Sequence, residues 1–304
     1  MRSRHWHILG AGSMGSLFAC LFDKAGIRCS LLLRDGDPTL TQTTRRIQLQ
    51  ADGLTSEHSV RVASGAHAAP IDYLLVCTKA YDLVDGLAGL QPWLAPNAVV
   101  VLLANGLGYQ QTVAARWPQL AVFSGSTTEG AFREAGQRVL RAGRGTTWVG
   151  GRGVQKAPDW FSDWQAIDAR CGWRQDIDAV LWRKFAINCA INPLTALHRC
   201  RNGALAEPGA LADEVRALCL EIAVIGQAAG QGEAVVGLYE SVMEVVAVTA
   251  NNRSSMLQDV LAKRPTEIGF LTAFLVDTAD ALGIDVPHNK ALLCALQPAT
   301  HPVG

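Results

Sequence analysis

Lys184, Asn188 and Asn192 stand four residues apart within the stretch Leu181-Trp-Arg-Lys-Phe-Ala-Ile-Asn-Cys-Ala-Ile-Asn-Pro193. On an α-helix that spacing puts one amine and two amides on a single face, spread over roughly 12 Å of axis. Phe185, Ile187, Cys189 and Ile191 cover the other faces, so the segment is expected to be largely buried. Buried polar groups need hydrogen-bonding partners. Two uses fit equally: a polar seam against another helix, or the wall of a pocket for a small ligand with several oxygens.

A second constellation opens the chain. The apolar run Trp6–Leu9 leads into Gly10-Ala11-Gly12-Ser13-Met14-Gly15, and an apolar helical pattern follows from Met14 to Ala25, closed by Gly26. Strand, G-x-G-x-x-G, helix is the context in which this motif binds a dinucleotide. The first glycine makes the tight turn, the second lets backbone approach a pyrophosphate, and the third lets helix pack on strand. Ala11-Gly12-Ser13-Met14-Gly15 also differs by a single residue from a G-x-S-x-G nucleophile elbow. Such elbows follow several strands, whereas only one precedes it here, so a hydrolase is disfavoured.

Cys29–Leu33 reads as the second strand. Where an NAD enzyme places an acid, this chain has Arg34, which suits the 2′-phosphate of NADP. Asp35 follows and tempers the preference, since it could reach the ribose or start the turn Asp35-Gly36-Asp37-Pro38. Tyr73–Cys77 and Val99–Leu103 are continuous apolar runs of the kind found in parallel strands buried on both faces. They lead to Thr78-Lys79 and Ala104-Asn105-Gly106, which places Lys79 and Asn105 at the carboxyl edge of the sheet, the edge at which such sheets bind ligands. For either residue alone, a solvated lysine or a turn asparagine is as good a reading.

Asp82–Leu90 and Tyr109–Trp117 fill helical crossovers, and Ala121–Ser124, Arg138–Leu140 and Thr147–Gly150 complete the sheet. A last helix is expected over Asp159–Ala169. The α/β pattern, a Rossmann-type doubly wound sheet, is expected to end near residue 172, and from Ile177 the periodicity is helical throughout. The chain therefore divides into an NADP-binding domain over 1–172 and an all-helical substrate domain over 173–304. Its later helices are Leu211–Ala229, Glu233–Asn251, Ser255–Lys263, Thr266–Leu282 and one after Pro287. Ser255 begins a capping-box pattern with Gln258, so its hydroxyl serves either as an N-cap or beside free amides that hold a carboxylate. Glu267 falls in the first turn of the helix opened by Arg264-Pro265, where an acid is ordinary dipole chemistry.

With 304 residues, 49% hydrophobic and 18% charged, the chain carries a formal net charge of +0. That composition suits a soluble globular protein, and nothing in it suggests a nucleic-acid or membrane footprint. Eight cysteines without a C-x-x-C pair read as reduced core residues in the cytoplasm. His5-Trp6-His7 lacks a third metal ligand, so no metal site is expected. Leu17-Phe18-Ala19-Cys20 resembles a lipoprotein cleavage box, but Gly10, Gly12 and Gly15 interrupt the apolar stretch before it, and no cleaved leader is expected. The longest clear apolar run, Ala98–Ala104, is far short of a membrane span.

Taken together the motifs resemble the ketopantoate reductase family over nearly the whole length. The resemblance rests on the glycine loop, Lys79, Asn105-Gly106, Trp182–Ala196, Asn202-Gly203, Ser254-Ser-Met-Leu-Gln-Asp259 and Thr266-Glu267. It implies NADPH-dependent reduction of 2-dehydropantoate to (R)-pantoate in pantothenate and coenzyme A biosynthesis. Lys184 would be the general acid, and Glu267 would help hold substrate and cofactor. Asn105, Asn188, Asn192, Asn202 and Ser255 would bind substrate beside Lys184. Gly10 to Gly15, Arg34, Lys79, Asn105 and Ala131 would line the cofactor, with Ala131 placed only through the variable loop at Glu129-Gly130. Closure of the helical domain would exclude water. A same-fold reductase of another small 2-oxo acid and a non-catalytic NADPH sensor are the rival readings. The sequence leaves the oligomeric state open, a homodimer included.

Overall fold

The computed structural model describes residues 4–34, 36–68, 70–134 and 137–296. Asp35, and with it the alternatives for its side chain, lies outside the described residues. The chain divides into two compact units, one formed by Met1–Ala104 with Tyr109–Ile177 and the other by Asn105–Gly108 with Asp178–Gly304.

The first unit runs β1 (His5–Leu9), α1 (Ser13–Lys24), β2 (Arg28–Leu32), β3 (Thr44–Ala51), β4 (Leu54–Ala63), α2 (Gly65–Ala68), β5 (Ile71–Val76), α3 (Ala80–Leu90) and β6 (Leu94–Leu102). It continues with α4 (Tyr109–Arg116), β7 (Ala121–Thr127), β8 (Gly130–Arg133), β9 (Arg138–Gly143), β10 (Thr147–Gly150), α5 (Phe161–Ile167) and β11 (Cys171–Trp173). Among the described residues these strands form one sheet in the order β11-β10-β7-β6-β5-β1-β2-β4-β3-β9-β8. From β7 to β4 every neighbouring pair is parallel. Three antiparallel pairs flank that block: β10 on β7, β3 on β4 and β8 on β9. Leu9 lies level with Leu32 and Val76, and Val76 with Leu102, so the carboxyl ends of the central strands meet at one edge.

Apolar side chains from β1, β2, β5 and β6 are withdrawn from water, as strands covered on both faces require. One face is closed by an aromatic cluster. Trp6 packs on Phe22, Trp160 and Trp164 with ring centroids 5.7, 5.7 and 5.8 Å away. The Trp6 indole donates to Asp163 Oδ2 at 2.9 Å, which fixes α5 on β1. The eight cysteines are free thiols, and burial pushes those of Cys20, Cys29, Cys171 and Cys219 up to about 12.

Three features depart from expectation. The hairpin of β3 and β4 is an addition whose turn residues, Asp52 and Gly53, both take positive φ, 52° and 75°. The sheet unit also extends past residue 172, because β11 pairs with β10 in parallel and Arg174 N donates to Val149 O at 2.9 Å. The segment Asn105–Gly108 follows β6 but belongs to the second unit.

The second unit contains α6 (Ile177–Leu197), α7 (Ala210–Ala228), α8 (Gly232–Val235), α9 (Leu238–Val248), α10 (Ser255–Leu261), α11 (Thr272–Ala281) and α12 (Pro287–Leu296). The single helix expected over Glu233–Asn251 is divided, because Gly237 takes the left-handed conformation at φ 56° between α8 and α9. The helix expected from Thr266 begins only at Thr272. Ahead of it, Ile268–Phe270 is a 3-10 turn, and the Phe270 carbonyl accepts from Leu107 N at 3.1 Å instead of from a helical neighbour. No helix among the described residues is long and apolar enough to cross a membrane.

Candidate active site

In the sheet unit, the glycine turn has the geometry its sequence requires. Gly10 sits at φ 103°, and a Cβ there would lie 2.7 Å from the Cys77 carbonyl carbon. The Cys77 amide donates to Leu9 O at 2.7 Å, so β5 runs tight against the turn. A Cβ on Gly15 would stand 1.9 Å from Gly10 O, which excludes any side chain. Around Gly12, by contrast, a Cβ would meet nothing within 4 Å among the described residues. That open side is the room a pyrophosphate needs. The helix start adds to the fit: the Gly12 N-cap has no side-chain cap, and the first turn of α1 carries no acid. Its amides and positive dipole end therefore suit an anion. Gly10, Ala11, Gly12, Ser13, Met14 and Gly15 would hold a dinucleotide there.

Lys79 is the N-cap residue of α3, immediately beyond the β5 end that abuts the glycine turn. Arg34 follows β2 with its side chain 89% exposed and a loose ion pair to Asp82 at 3.7 Å. Such an exposed pair is worth about 0–1 kcal/mol, so it leaves the guanidinium available to a phosphate. Ala131 lies in β8, opposite Arg141 of β9. The same strand touches the glycine turn, where Arg133 Nη1 donates to Ala11 O at 3.0 Å. The residues before β8 are held by an ion cluster, in which Arg141 Nε donates to Glu129 Oε2 at 2.7 Å and Arg141 Nη2 to Asp168 Oδ2 at 3.1 Å.

In the helical unit, α6 carries Lys184, Asn188 and Asn192 as the spacing requires, with Phe185, Cys189 and Ile191 buried and Ile187 partly so. Burial pulls the Lys184 ammonium down from 10.5 to about 8, and the charge of Glu267 opposes the shift. Glu267 is only 4% exposed. It receives the Asn105 side-chain amide at Oε2, 3.1 Å away. The helical unit thus assembles an amine, a carboxylate and an amide from three separate parts of the chain. Glu267 is not the first-turn acid its sequence context suggests; it is the residue before a 3-10 turn. Its charge acts on Lys184.

Asn202 is 7% exposed and donates through Nδ2 to Thr249 Oγ1 at 2.8 Å. Its Oδ1 is buried without a hydrogen-bond partner among the described residues. A buried amide oxygen in that condition suits a donor supplied by a ligand. Ser255 requires a correction. The N-cap of α10 is Ser254, whose Oγ accepts from Leu257 N at 3.1 Å. Ser255 is the first helical residue and is exposed. Gln258, the expected partner in the capping box, donates to Arg253 O at 3.0 Å instead. Sequence reasoning also passes over Thr195, which donates from Oγ1 to Ser254 Oγ at 2.7 Å and so ties α6 to the start of α10. The signal was the adjacent serine pair: Ser254 stands three residues before Leu257, the N3 spacing of a cap.

The chain matches the family model "Ketopantoate reductase PanE/ApbA" over residues 6–153 and the corresponding C-terminal model over 176–299. It is 35% identical over 293 residues to a 2-dehydropantoate 2-reductase of Vibrio cholerae, covering 94% of each chain. It is 30% identical to one from the archaeon Archaeoglobus fulgidus, covering 96% of this chain and 97% of the relative. Among solved structures, a ketopantoate reductase from Ralstonia eutropha superimposes with a TM-score of 0.87 at 22% identity, covering 97% of this chain and 98% of that one. A D-mandelate dehydrogenase solved with NADH and anilino(oxo)acetate shares the fold at a TM-score of 0.88 and 19% identity, with 97% and 98% coverage. The chain belongs to the ketopantoate reductase family.

Proposed function

We propose that the protein catalyses the NADPH-dependent reduction of 2-dehydropantoate to (R)-pantoate. The observation that carries this reading is Lys184, half-buried within reach of the Glu267 charge and drawn down by desolvation to about 8. A lysine at that pKa is a competent acid near neutral pH. Its relatives from Vibrio cholerae and Archaeoglobus fulgidus bear the name of this reaction. The 2-oxo acid is a small-molecule substrate, and free buried thiols suit the reducing cytoplasm.

Gly10 to Gly15 would hold the dinucleotide, which would supply a hydride for the 2-oxo carbon. The rest of the work falls to this chain's residues. Lys184 Nζ gives a proton to the oxygen as charge develops there, and the resulting neutral amine regains its proton from solvent. Glu267 keeps the amine protonated before the step, and Asn105 keeps Glu267 in place. Asn188, Asn192 and Asn202 bind the carboxylate and hydroxyl oxygens, with Asn202 Oδ1 accepting from a substrate hydroxyl. Ser255 binds the substrate through its exposed hydroxyl. Arg34 would read the 2′-phosphate, and Lys79, Asn105, Ala131 and Glu267 would each contribute to holding the cofactor.

The test is a panel of small 2-oxo acids compared by kcat/KM with NADPH and with NADH. The expected result is 2-dehydropantoate as the preferred substrate and NADPH as the preferred donor. Higher kcat/KM on another 2-oxo acid would replace the substrate. Cofactor binding with no turnover on any of them would replace the enzyme by a sensor.

A further inference from the structure

We propose that Arg133 is a positioning residue for the dinucleotide: it clamps the glycine turn in its anion-binding form and adds positive charge beside it. This inference rests on the reading of that turn as the cofactor site.

The clamp follows from the geometry of one peptide. Arg133 Nη1 donates to Ala11 O at 3.0 Å, and Ser16 Oγ reaches the same oxygen only at 3.5 Å. In a trans peptide the carbonyl of one residue and the N–H of the next point in opposite directions. Holding the Ala11 carbonyl therefore fixes where the Gly12 N–H points. Gly12 is the residue whose open side offers room for a ligand. The arginine thus aims a donor it does not itself carry.

Its charge supports the same assignment. Arg133 makes no ion pair among the described residues. It lies instead next to the N-terminus of α1, the positive end of a helix that has no acid in its first turn. A cation is unfavourable there unless an anion shares the place. Arg45, on β3, is close enough that burial and the Arg133 charge both pull its guanidinium down, against the pull of Asp37. Arg133 and a helix N-terminus beside one turn make an electrostatic field for a pyrophosphate, whose charge both dinucleotides share.

The experiment is direct titration of NADPH and of NADH, followed by nicotinamide fluorescence, into the wild-type protein, Arg133→Ala and Arg133→Lys. Thermal unfolding verifies that each variant is folded. Arg133→Ala is expected to raise Kd about tenfold for both dinucleotides while kcat at saturating cofactor and KM for the 2-oxo acid stay within about twofold. Arg133→Lys, which keeps the charge and one donor, should recover most of the affinity. Unchanged Kd values in Arg133→Ala would overturn the inference alone. So would a loss confined to NADPH, which would move Arg133 to the 2′-phosphate. A wild-type protein that binds neither dinucleotide would overturn the proposed function and this inference with it.

Discussion

Asn105 donates its side-chain amide to Glu267 Oε2 at 3.1 Å, although 162 residues separate them in sequence. The bond holds a carboxylate whose charge opposes the desolvation of Lys184. Glu267→Gln keeps an oxygen that can accept from Asn105 but removes that charge. The Lys184 pKa should then fall below about 8. In a pH profile of kcat/KM, the limb that declines at high pH should move to lower pH. A limb that stays in place would separate Glu267 from Lys184.

The same depressed pKa makes a prediction about stability. Folded Lys184 releases its proton near 8, against 10.5 for an unperturbed lysine. Between these values the unfolded chain binds more protons, so this residue makes stability rise with pH across the window. Its penalty is full below pH 8 and lost above 10.5. Lys184→Met should therefore be more stable than the wild type below pH 8, by up to about 3 kcal/mol, and lose that advantage as pH approaches 10.5. Urea titrations at several pH values would measure it, and a pH-independent difference would contradict it.

Gly106 controls the segment that presents Asn105. It sits at φ 86°, and an added Cβ would stand 2.2 Å from Phe270 O. Gly106→Ala is expected to cost about 1–3 kcal/mol and to displace Asn105 from Glu267. The expected kinetic result is a fall in kcat, with weaker dinucleotide binding because Asn105 is also assigned to the cofactor. A variant with wild-type kcat would show that the Asn105 bond is dispensable.

Two buried indoles make a comparison within the core. Trp6 donates to Asp163, whereas Trp164 Nε1 has no hydrogen-bond partner among the described residues. Trp6→Phe leaves a partly buried carboxylate short of a donor, and Trp164→Phe removes a buried N–H that had none. Both lose packing volume, but Trp6→Phe should cost more by about 1.5–3 kcal/mol in chemical unfolding. Equal costs would mean that the Asp163 bond contributes nothing.

How much of this could be read from the sequence depends on what each residue's local surroundings decide. The glycine turn and the Lys184–Asn188–Asn192 face were legible because strand–turn–helix spacing and a helical repeat of four are local properties. The β3–β4 hairpin was not, since its buried Ile47 and Leu49 alternate with Arg46 and Gln48 and so form no continuous apolar run. Its turn, Asp52-Gly53, carried the usable signal. Glu267 was misread because Pro265 looks like a helix start, whereas the Phe270 carbonyl is engaged by Leu107, far away in sequence. Arg133 was invisible for the same reason: its partner, Ala11, lies 122 residues earlier.

The central claim is that the Lys184 amine delivers the proton. Single-turnover and steady-state kinetics of Lys184→Ala with 2-dehydropantoate, beside NADPH titrations of the same variant, test it most directly. The account predicts kcat lower by about a hundredfold or more, with NADPH affinity intact. A Lys184→Ala protein that retains wild-type kcat would contradict it.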